Sequence, residues 1–349
     1  MPQQRPDVAL WAPRGPETSW GGVQRYVLQL AQALEARRLV TRIVGADSQP
    51  GFGQHNKRFV WPRRLAQLLA EKPRLVHLHG SSSLFTVQAA HACHCHRIPF
   101  VWTPCFHPFW SQKYPLLSGV YFKALERRVM GHARRVFTLS LQEQRFFRSQ
   151  LPGARVELVR AGVDLQHRAE PAPAAKRKAL LFVGRRSPNK GFQHLAAIDD
   201  WLAAERIRVT AVTDPKPGEA LKSINCTGPL DERSLNQAYA TARACVVPSS
   251  YESFSYAVVE ALAHGTPVIS SDQVGVMDHV GHSPACRVVP YGHGFEDGLK
   301  RQIMRFWCLS DPDLDRLSDV AITAAQPFGL PQALEPLVNA LEAELLVCD

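Results

Sequence analysis

Ala179-Leu-Leu-Phe-Val-Gly184-Arg185-Arg186-Ser187-Pro188-Asn189-Lys190-Gly191 is the stretch on which the fold turns. A short apolar run reads as a buried strand, Ala179–Gly184, and the glycine-bounded loop behind it opens a helix. Strand, loop and helix in that order are one β/α unit, and the unit repeats downstream. Further strands are predicted at Arg208–Thr213, Ala244–Pro248 and Pro267–Ser270.

The same rhythm runs upstream. Strand-like runs are Val8–Trp11, Arg42–Gly45, Leu75–His79, Phe100–Trp102, Val136–Ser140 and Val156–Val159, with helical patterns between them. In Val23–Glu35 the residues Val23, Tyr26, Val27, Leu30, Ala33 and Leu34 share one face, the spacing of an amphipathic helix. Short strands alternating with helices predict α/β architecture, a parallel sheet covered on both sides. Residues 166–178 break the rhythm: they are polar, rich in Pro and Ala and aperiodic, the texture of a linker. The expected organisation is therefore a first domain over 1–165, a linker over 166–178 and a second domain over 179–330. A last helix, Pro331–Leu346, falls within 331–349. Two such doubly wound domains are expected to face across a cleft, with ligands at the carboxyl ends of the strands.

Length and composition agree: 349 residues, 45% hydrophobic and 21% charged, suit two globular domains. No apolar run reaches the roughly 18–20 residues of a membrane-spanning helix. The start shows no basic segment followed by an apolar one, so a cytoplasmic protein is expected. The eight cysteines (93, 95, 105, 226, 245, 286, 308, 348) lack framework spacing and read as reduced thiols. Charge is uneven. Residues 1–165 hold 23 Lys and Arg against 9 Asp and Glu, whereas the remainder holds 18 against 22. The basic half either faces something anionic or is a solvated surface.

Two loops have the makings of a diphosphate site. After the first strand, Gly21-Gly22-Val23 opens a helix, where backbone amides and the helix start favour phosphate, although this is also what a plain glycine turn looks like. After Ala179–Gly184, Arg185 supplies a planar fork and Lys190 a mobile point charge, bracketed by Pro188 and Gly191. A leaving diphosphate needs such cations as its bond breaks, while a solvated basic loop is the plainer reading.

Downstream lie two carboxylates, Glu252 in a loop and Glu260 on an otherwise apolar helix. An acid among Ala257, Val258, Val259, Ala261 and Leu262 is costly without a partner, and a ribose diol is one. Eight residues of helix rise about 12 Å, beyond the roughly 5–9.5 Å between the paired carboxylates of glycosidases. The spacing argues against hydrolysis.

Two further clusters carry less. His91-Ala-Cys93-His94-Cys95-His96 looks like a metal site, but only His91 and Cys95 share a helical face, and no second cluster follows. Phe106, Phe109, Trp110, Tyr114, Tyr121 and Phe122 precede Lys123, Arg127, Arg128, Arg134 and Arg135. Aromatics beside a basic helix suit an anionic membrane surface, and core aromatics beside a solvated face give the same pattern. No nucleic-acid module is present.

Together these residues resemble glycosyltransferase family 4, retaining enzymes of the GT-B fold. The resemblance runs in order through Gly21-Gly22-Val23, Leu75-Val-His-Leu-His79, His107, Thr138-Leu-Ser140 and Gly162-Val163-Asp164. It continues through Gly184-Arg185…Lys190-Gly191, Gly228-Pro-Leu and Pro248-Ser…Glu252-Ser-Phe…Glu260-Ala-Leu-Ala-His-Gly-Thr-Pro-Val. The most specific part is Glu-x7-Glu. The resemblance implies that Gly21 and Gly22 lie against the donor phosphates, that His107 sits near the transferred sugar, and that Arg185 and Lys190 hold the diphosphate. It implies Glu252 on the sugar hydroxyls with the amides of Phe254 and Ser255 and the neighbouring Tyr256 beside it, and Glu260 on the ribose. It implies no metal and no bound cofactor. It also implies a UDP- or GDP-sugar donor, and a last helix that returns to the first domain. The expected reaction is sugar transfer with retention, to a hydroxyl of a glycan or lipid-linked acceptor of lipopolysaccharide or exopolysaccharide type, at the inner face of the membrane. A nucleotide-sugar epimerase of the same fold, or an inactive nucleotide-binding module, are the alternatives. The chain departs from the family in two places. Glu252-Ser-Phe-Ser255 stands where Glu-Gly-Phe-Gly is common, and Arg160-Ala-Gly-Val-Asp164 where Pro-Asn-Gly-Val-Asp is common.

Overall fold

Among the described residues twelve short strands carry the fold, and every pairing between them is parallel. A computed structural model of the chain describes residues 5–12, 21–45, 62–81, 83–105, 120 and 122–347. It divides into two units, Met1–Gly162 with Pro331–Asp349, and Val163–Leu330.

In the first unit the strands are β1 (Val8–Ala12), β2 (Thr41–Gly45), β3 (Leu75–His79), β4 (Phe100–Thr103), β5 (Val136–Thr138) and β6 (Val156–Leu158), in the order β2-β1-β3-β4-β5-β6. β1, β3, β4 and β5 are buried along their whole length, as expected of parallel strands with helices on both faces. Helix Gly22–Ala36 turns Tyr26, Val27, Leu30 and Leu34 to the core, the face that its 3.6-residue spacing predicts. β5 ends two residues before the predicted Ser140, for a local reason. The Ser140 hydroxyl accepts the amide of Glu143, and the Glu143 carboxylate accepts the amide of Leu139. That reciprocal cap starts helix Leu141–Gln150 and stops the strand.

The last helix, Glu335–Leu346, belongs to this unit. It starts later than Pro331 because Gln332–Leu334 form a 3₁₀ turn first. Arg37 pairs with Glu335 and Glu342, and Glu344 receives Arg135 at 2.6 Å.

In the second unit the strands are β7 (Ala179–Val183), β8 (Arg208–Val212), β9 (Ile224–Cys226), β10 (Ala244–Val247), β11 (Val268–Ser271) and β12 (Cys286–Val289), in the order β12-β11-β10-β7-β8-β9. β9 and β12 form the sheet edges, only partly buried and interrupted by Asn225 and Arg287, so they lack the apolar run by which strands such as β10 are read from sequence. Residues 166–178, linker-like in composition, are held on this unit. The amide of Ala172 donates to Ala240 and that of Ala174 to Asp315. Arg177 is fully buried, donating to the carbonyls of Ala172 and Gly265.

Strand order reverses between β1 and β3 in the first sheet, and between β10 and β7 in the second. At such a point the connections leave toward opposite faces, so a crevice opens at the carboxyl ends of the two strands.

Candidate functional site

The loops that follow β7 and β10 meet at the second reversal point. Gly191 is at φ +76°, and a Cβ there would lie 1.9 Å from the carbonyl oxygen of Pro248. Only glycine permits that approach. The Ser250 amide donates to Asn189, joining the two loops again. Across this seam the Lys190 ammonium meets the Glu252 carboxylate, Nζ to Oε2, at 2.6 Å. The other carboxylate oxygen accepts the Ser249 hydroxyl at 2.6 Å. The Glu252 side chain is 10% exposed and that of Lys190 24%, so the pair sits at the mouth of the crevice rather than in the core. The backbone of Glu252 is fixed by the loop after β11: its amide donates to Gln273, and its carbonyl accepts the amide of Gly275.

The two adjacent arginines of the first loop divide. Arg185 is exposed. Arg186 is tied to Glu219, contacts Cys226 Sγ at 3.1 Å and lies 4.2 Å over the Phe192 ring. Its neighbours hold the Arg186 guanidinium more basic than usual, Glu219 foremost.

Beyond Glu252, Phe254 is buried, with ring centroids 5.8 Å from Phe328 and 5.4 Å from Tyr256. Ser255 precedes helix Tyr256–Ala263 at φ +93°, a conformation that favours glycine. Glu260, one turn into that helix, accepts the Tyr239 hydroxyl at 2.9 Å. Four serine and threonine hydroxyls, those of Ser187, Thr213, Ser250 and Ser255, are buried with no hydrogen-bond partner. They follow β7, β8 and β10.

In the first unit, Gly21 is the extended residue before helix Gly22–Ala36, and Gly22 is its first residue. His107 lies outside the described residues, as do Phe106, Phe109, Trp110, Tyr114 and Tyr121. At the end of β3, His77 and His79 are fully buried, with ring centroids 4.0 Å apart. His77 Nε2 meets Thr103 Oγ1 at 2.8 Å, and His79 Nδ1 meets the Trp11 carbonyl at 3.3 Å. Burial pushes His79 down to about 4, and His77 in the same direction with His79's charge adding to it. Both rings are neutral at pH 7. His91 Nε2 lies 3.6 Å from Cys95 Sγ, and among the described residues no three His, Cys, Asp or Glu side chains gather as a metal site.

The structure thus brings Lys190 and Glu252 into contact, sets Arg185 in the same loop, and gives Glu260 a partner of its own. Sequence reasoning missed Ser249 and Tyr239. Ser249 is three residues from Glu252 and was visible in the same loop. Tyr239 comes from helix Glu232–Thr241, in a different β/α unit, and no local pattern ties it to Glu260.

A family model described as Glycosyltransferase Family 4 matches residues 20–167, and one described as Glycosyl transferases group 1 matches residues 177–307. A GDP-mannose-dependent alpha-mannosyltransferase of Mycolicibacterium smegmatis is 35% identical over 108 residues, 30% of this chain and 28% of that protein. The chain therefore matches less than a third of that curated relative's length. Sucrose-phosphate synthase from Thermosynechococcus elongatus has the same fold, with a TM-score of 0.76 at 19% identity over 98% of this chain and 99% of that one. So does Anabaena HepE, solved with UDP and glucose, with a TM-score of 0.69 at 18% identity over 97% and 100%. The two family matches follow one another along the chain, one in each β/α half of a GT-B fold, and the chain belongs to glycosyltransferase family 4.

Proposed function

We propose that this chain transfers a sugar from a UDP- or GDP-sugar to a hydroxyl of a glycan or lipid-linked cell-envelope acceptor, with retention and without a metal. The observation that carries the reading is the Lys190–Glu252 contact at the second reversal point. A cation and a carboxylate 2.6 Å apart are the two groups a sugar diphosphate needs, one for the phosphates and one for the sugar hydroxyls. When the donor enters, Lys190 exchanges Glu252 for the diphosphate, and Arg185 joins it from the same loop. Glu252 turns to the sugar and Glu260 to the ribose. Both oxygens of Glu252 are hydrogen-bonded, which suits a positioning group better than a nucleophile.

In the transfer step the bond from the sugar's anomeric carbon to the diphosphate oxygen breaks, and the electron pair leaves with the phosphate. The acceptor oxygen bonds to that carbon on the same face, and its proton passes to the departing phosphate. The lysine and arginine stabilise the charge that develops there, the work a divalent ion does in other transferases. The donor class is supported by the UDP bound to HepE and by the GDP-mannose named for the mycobacterial relative.

An anionic membrane surface as the acceptor's setting is supported by the first unit. Lys123, Arg127 and Arg128 line a cavity of about 570 Å³. Val120 and Leu125 are exposed beside them. Among the described residues no helix is long and apolar enough to cross a membrane.

Thermal melting against UDP-, GDP-, ADP- and TDP-sugars tests the reading. A donor at a hundred times its dissociation constant adds about 2.7 kcal/mol to the folded state, and no shift with any of them refutes it. Donor consumption without acceptor points instead to the epimerase, and binding without turnover to an inactive module. Flotation with acidic vesicles tests the surface, and absence of binding at low salt removes it.

A further inference from the structure

Ser255 is costly as it stands. Its φ of +93° is strained for any residue with a Cβ. It sits at the N-cap of helix Tyr256–Ala263, where a serine hydroxyl ordinarily accepts a backbone amide, but this hydroxyl makes no cap. It is buried, at 5% exposure, and bonded to nothing among the described residues. Glycine would remove both the strain and the unpartnered hydroxyl. Strain and unpaired polar groups persist where something else uses them.

The surroundings say where that use lies. Ser255 is three residues from Glu252 and next to Phe254, whose carbonyl accepts the Val276 amide and fixes the turn. The three other buried, unpartnered Ser and Thr hydroxyls among the described residues, Ser187, Thr213 and Ser250, also lie in loops at the carboxyl edge of this one sheet. An edge that receives a ligand rich in oxygen would use such hydroxyls.

We propose that the Ser255 hydroxyl hydrogen-bonds an oxygen of the transferred sugar and so helps decide which nucleotide sugar is accepted. This rests on the reading that the site takes a nucleotide sugar. The hydroxyl both donates and accepts, so it suits a sugar hydroxyl, which does the same. A site built to bond a hydroxyl rejects an analogue that leaves it unpaired.

Ser255→Gly and Ser255→Ala test the proposal, with UDP, GDP, UDP-glucose and GDP-mannose as probes in calorimetry and thermal melting. Without ligand, S255G melts higher than wild type because the strain is gone. For whichever nucleotide sugar wild type binds, both variants bind it about five- to tenfold more weakly. Free UDP and GDP bind all three proteins within about twofold of one another. Unchanged nucleotide-sugar affinity in S255A and S255G overturns the proposal and leaves a hydroxyl that is merely hydrated. Equal loss for the free nucleotides moves the contact to the diphosphate and overturns it too. Failure of wild type to bind any of the four probes is a different result: it refutes the nucleotide-sugar reading itself.

Discussion

The Lys190–Glu252 contact should work against the donor before it works for it. The two groups neutralise each other at 2.6 Å, so a diphosphate must first take the lysine away. Two substitutions separate the roles. Lys190→Ala leaves Glu252, nine-tenths buried, with Ser249 alone. A fully buried pair costs about 3–5 kcal/mol when one partner is removed, and an exposed pair at most about 1 kcal/mol. A pair at the mouth of a crevice falls between, at about 1–2 kcal/mol. At about 2–4 °C per kcal/mol for a unit of this size, melting should fall by about 2–8 °C. Turnover should fall about 10²–10³-fold, the cost of losing one donor to a developing charge. Glu252→Gln has the opposite effect on the nucleotide alone. It keeps the shape, removes the charge and frees Lys190, so UDP or GDP should bind about two- to tenfold more tightly, the worth of about 0.5–1.4 kcal/mol. Turnover of the nucleotide sugar should still drop, because the sugar loses its carboxylate. Calorimetry with the free nucleotide and initial rates with the nucleotide sugar read the two effects separately. Wild-type turnover in K190A would remove Lys190 from the mechanism. Weaker UDP and GDP binding in E252Q would mean that Glu252 holds the lysine in place for the diphosphate, and the competition argument would be wrong.

Three other expectations follow from the same geometry. Gly191→Ala puts a Cβ 1.9 Å from the Pro248 carbonyl at positive φ, so it should destabilise by about 2–4 kcal/mol and lower turnover by separating the two loops, read as a lower melting temperature and rate. Tyr239→Phe removes the hydroxyl held by Glu260, and should weaken nucleotide binding a few-fold with turnover at saturation unchanged, read as a higher KM at constant kcat. Below neutrality the first unit should lose stability. His79 is held at about 4 in the fold and titrates near 6.5 when unfolded, so the unfolded chain takes the proton first. Its contribution is complete above about pH 6.5 and is lost as the pH falls toward about 4, up to about 3 kcal/mol in all. Urea midpoints at pH 7 and pH 5 should differ accordingly, and His79→Gln should flatten the difference.

Much of this was legible because the informative signals are local. A five-residue apolar run before a glycine loop needs nothing distant to become β7, and the amphipathic spacing of Val23–Glu35 needs only a core to face. The loop carrying Arg185 and Lys190 and the loop carrying Glu252 could each be picked out in the same way. Their contact could not, because it depends on β7 and β10 being neighbours, although the chain between them makes β8 and β9 first. Strand order comes from packing and connection handedness, not from the residues of either strand. The edge strands β9 and β12 were missed because Asn225 and Arg287 interrupt them, so neither shows the continuous apolar run that marked a strand as short as β10. The burial of Arg177 was hidden for another reason: composition says polar, and only the carbonyls of Ala172 and Gly265 reveal why an arginine can be inside.

Net charge alone would send a diphosphate to the first half, away from the second-unit site proposed for it. Residues 166–349 hold more acid than base, 18 Lys and Arg against 22 Asp and Glu, while residues 1–165 are strongly basic. The proposed capture of an anionic donor by the second unit must therefore come from where its cations stand, not from their number. The fold removes one of the three in the β7 loop at once, since Arg186 is spent on Glu219 and the Phe192 ring. Lys190 is held in reserve by Glu252. That leaves Arg185, exposed at the carboxyl end of β7, as the cation of that loop available to a phosphate on first approach. Lys190 follows once Glu252 has a sugar to bind instead. On that proposal phosphate and sugar are recognised in one exchange, and a nucleotide without its sugar should release the lysine less readily. On the proposed function, this ordering lets the Lys190–Glu252 contact discriminate for the complete donor.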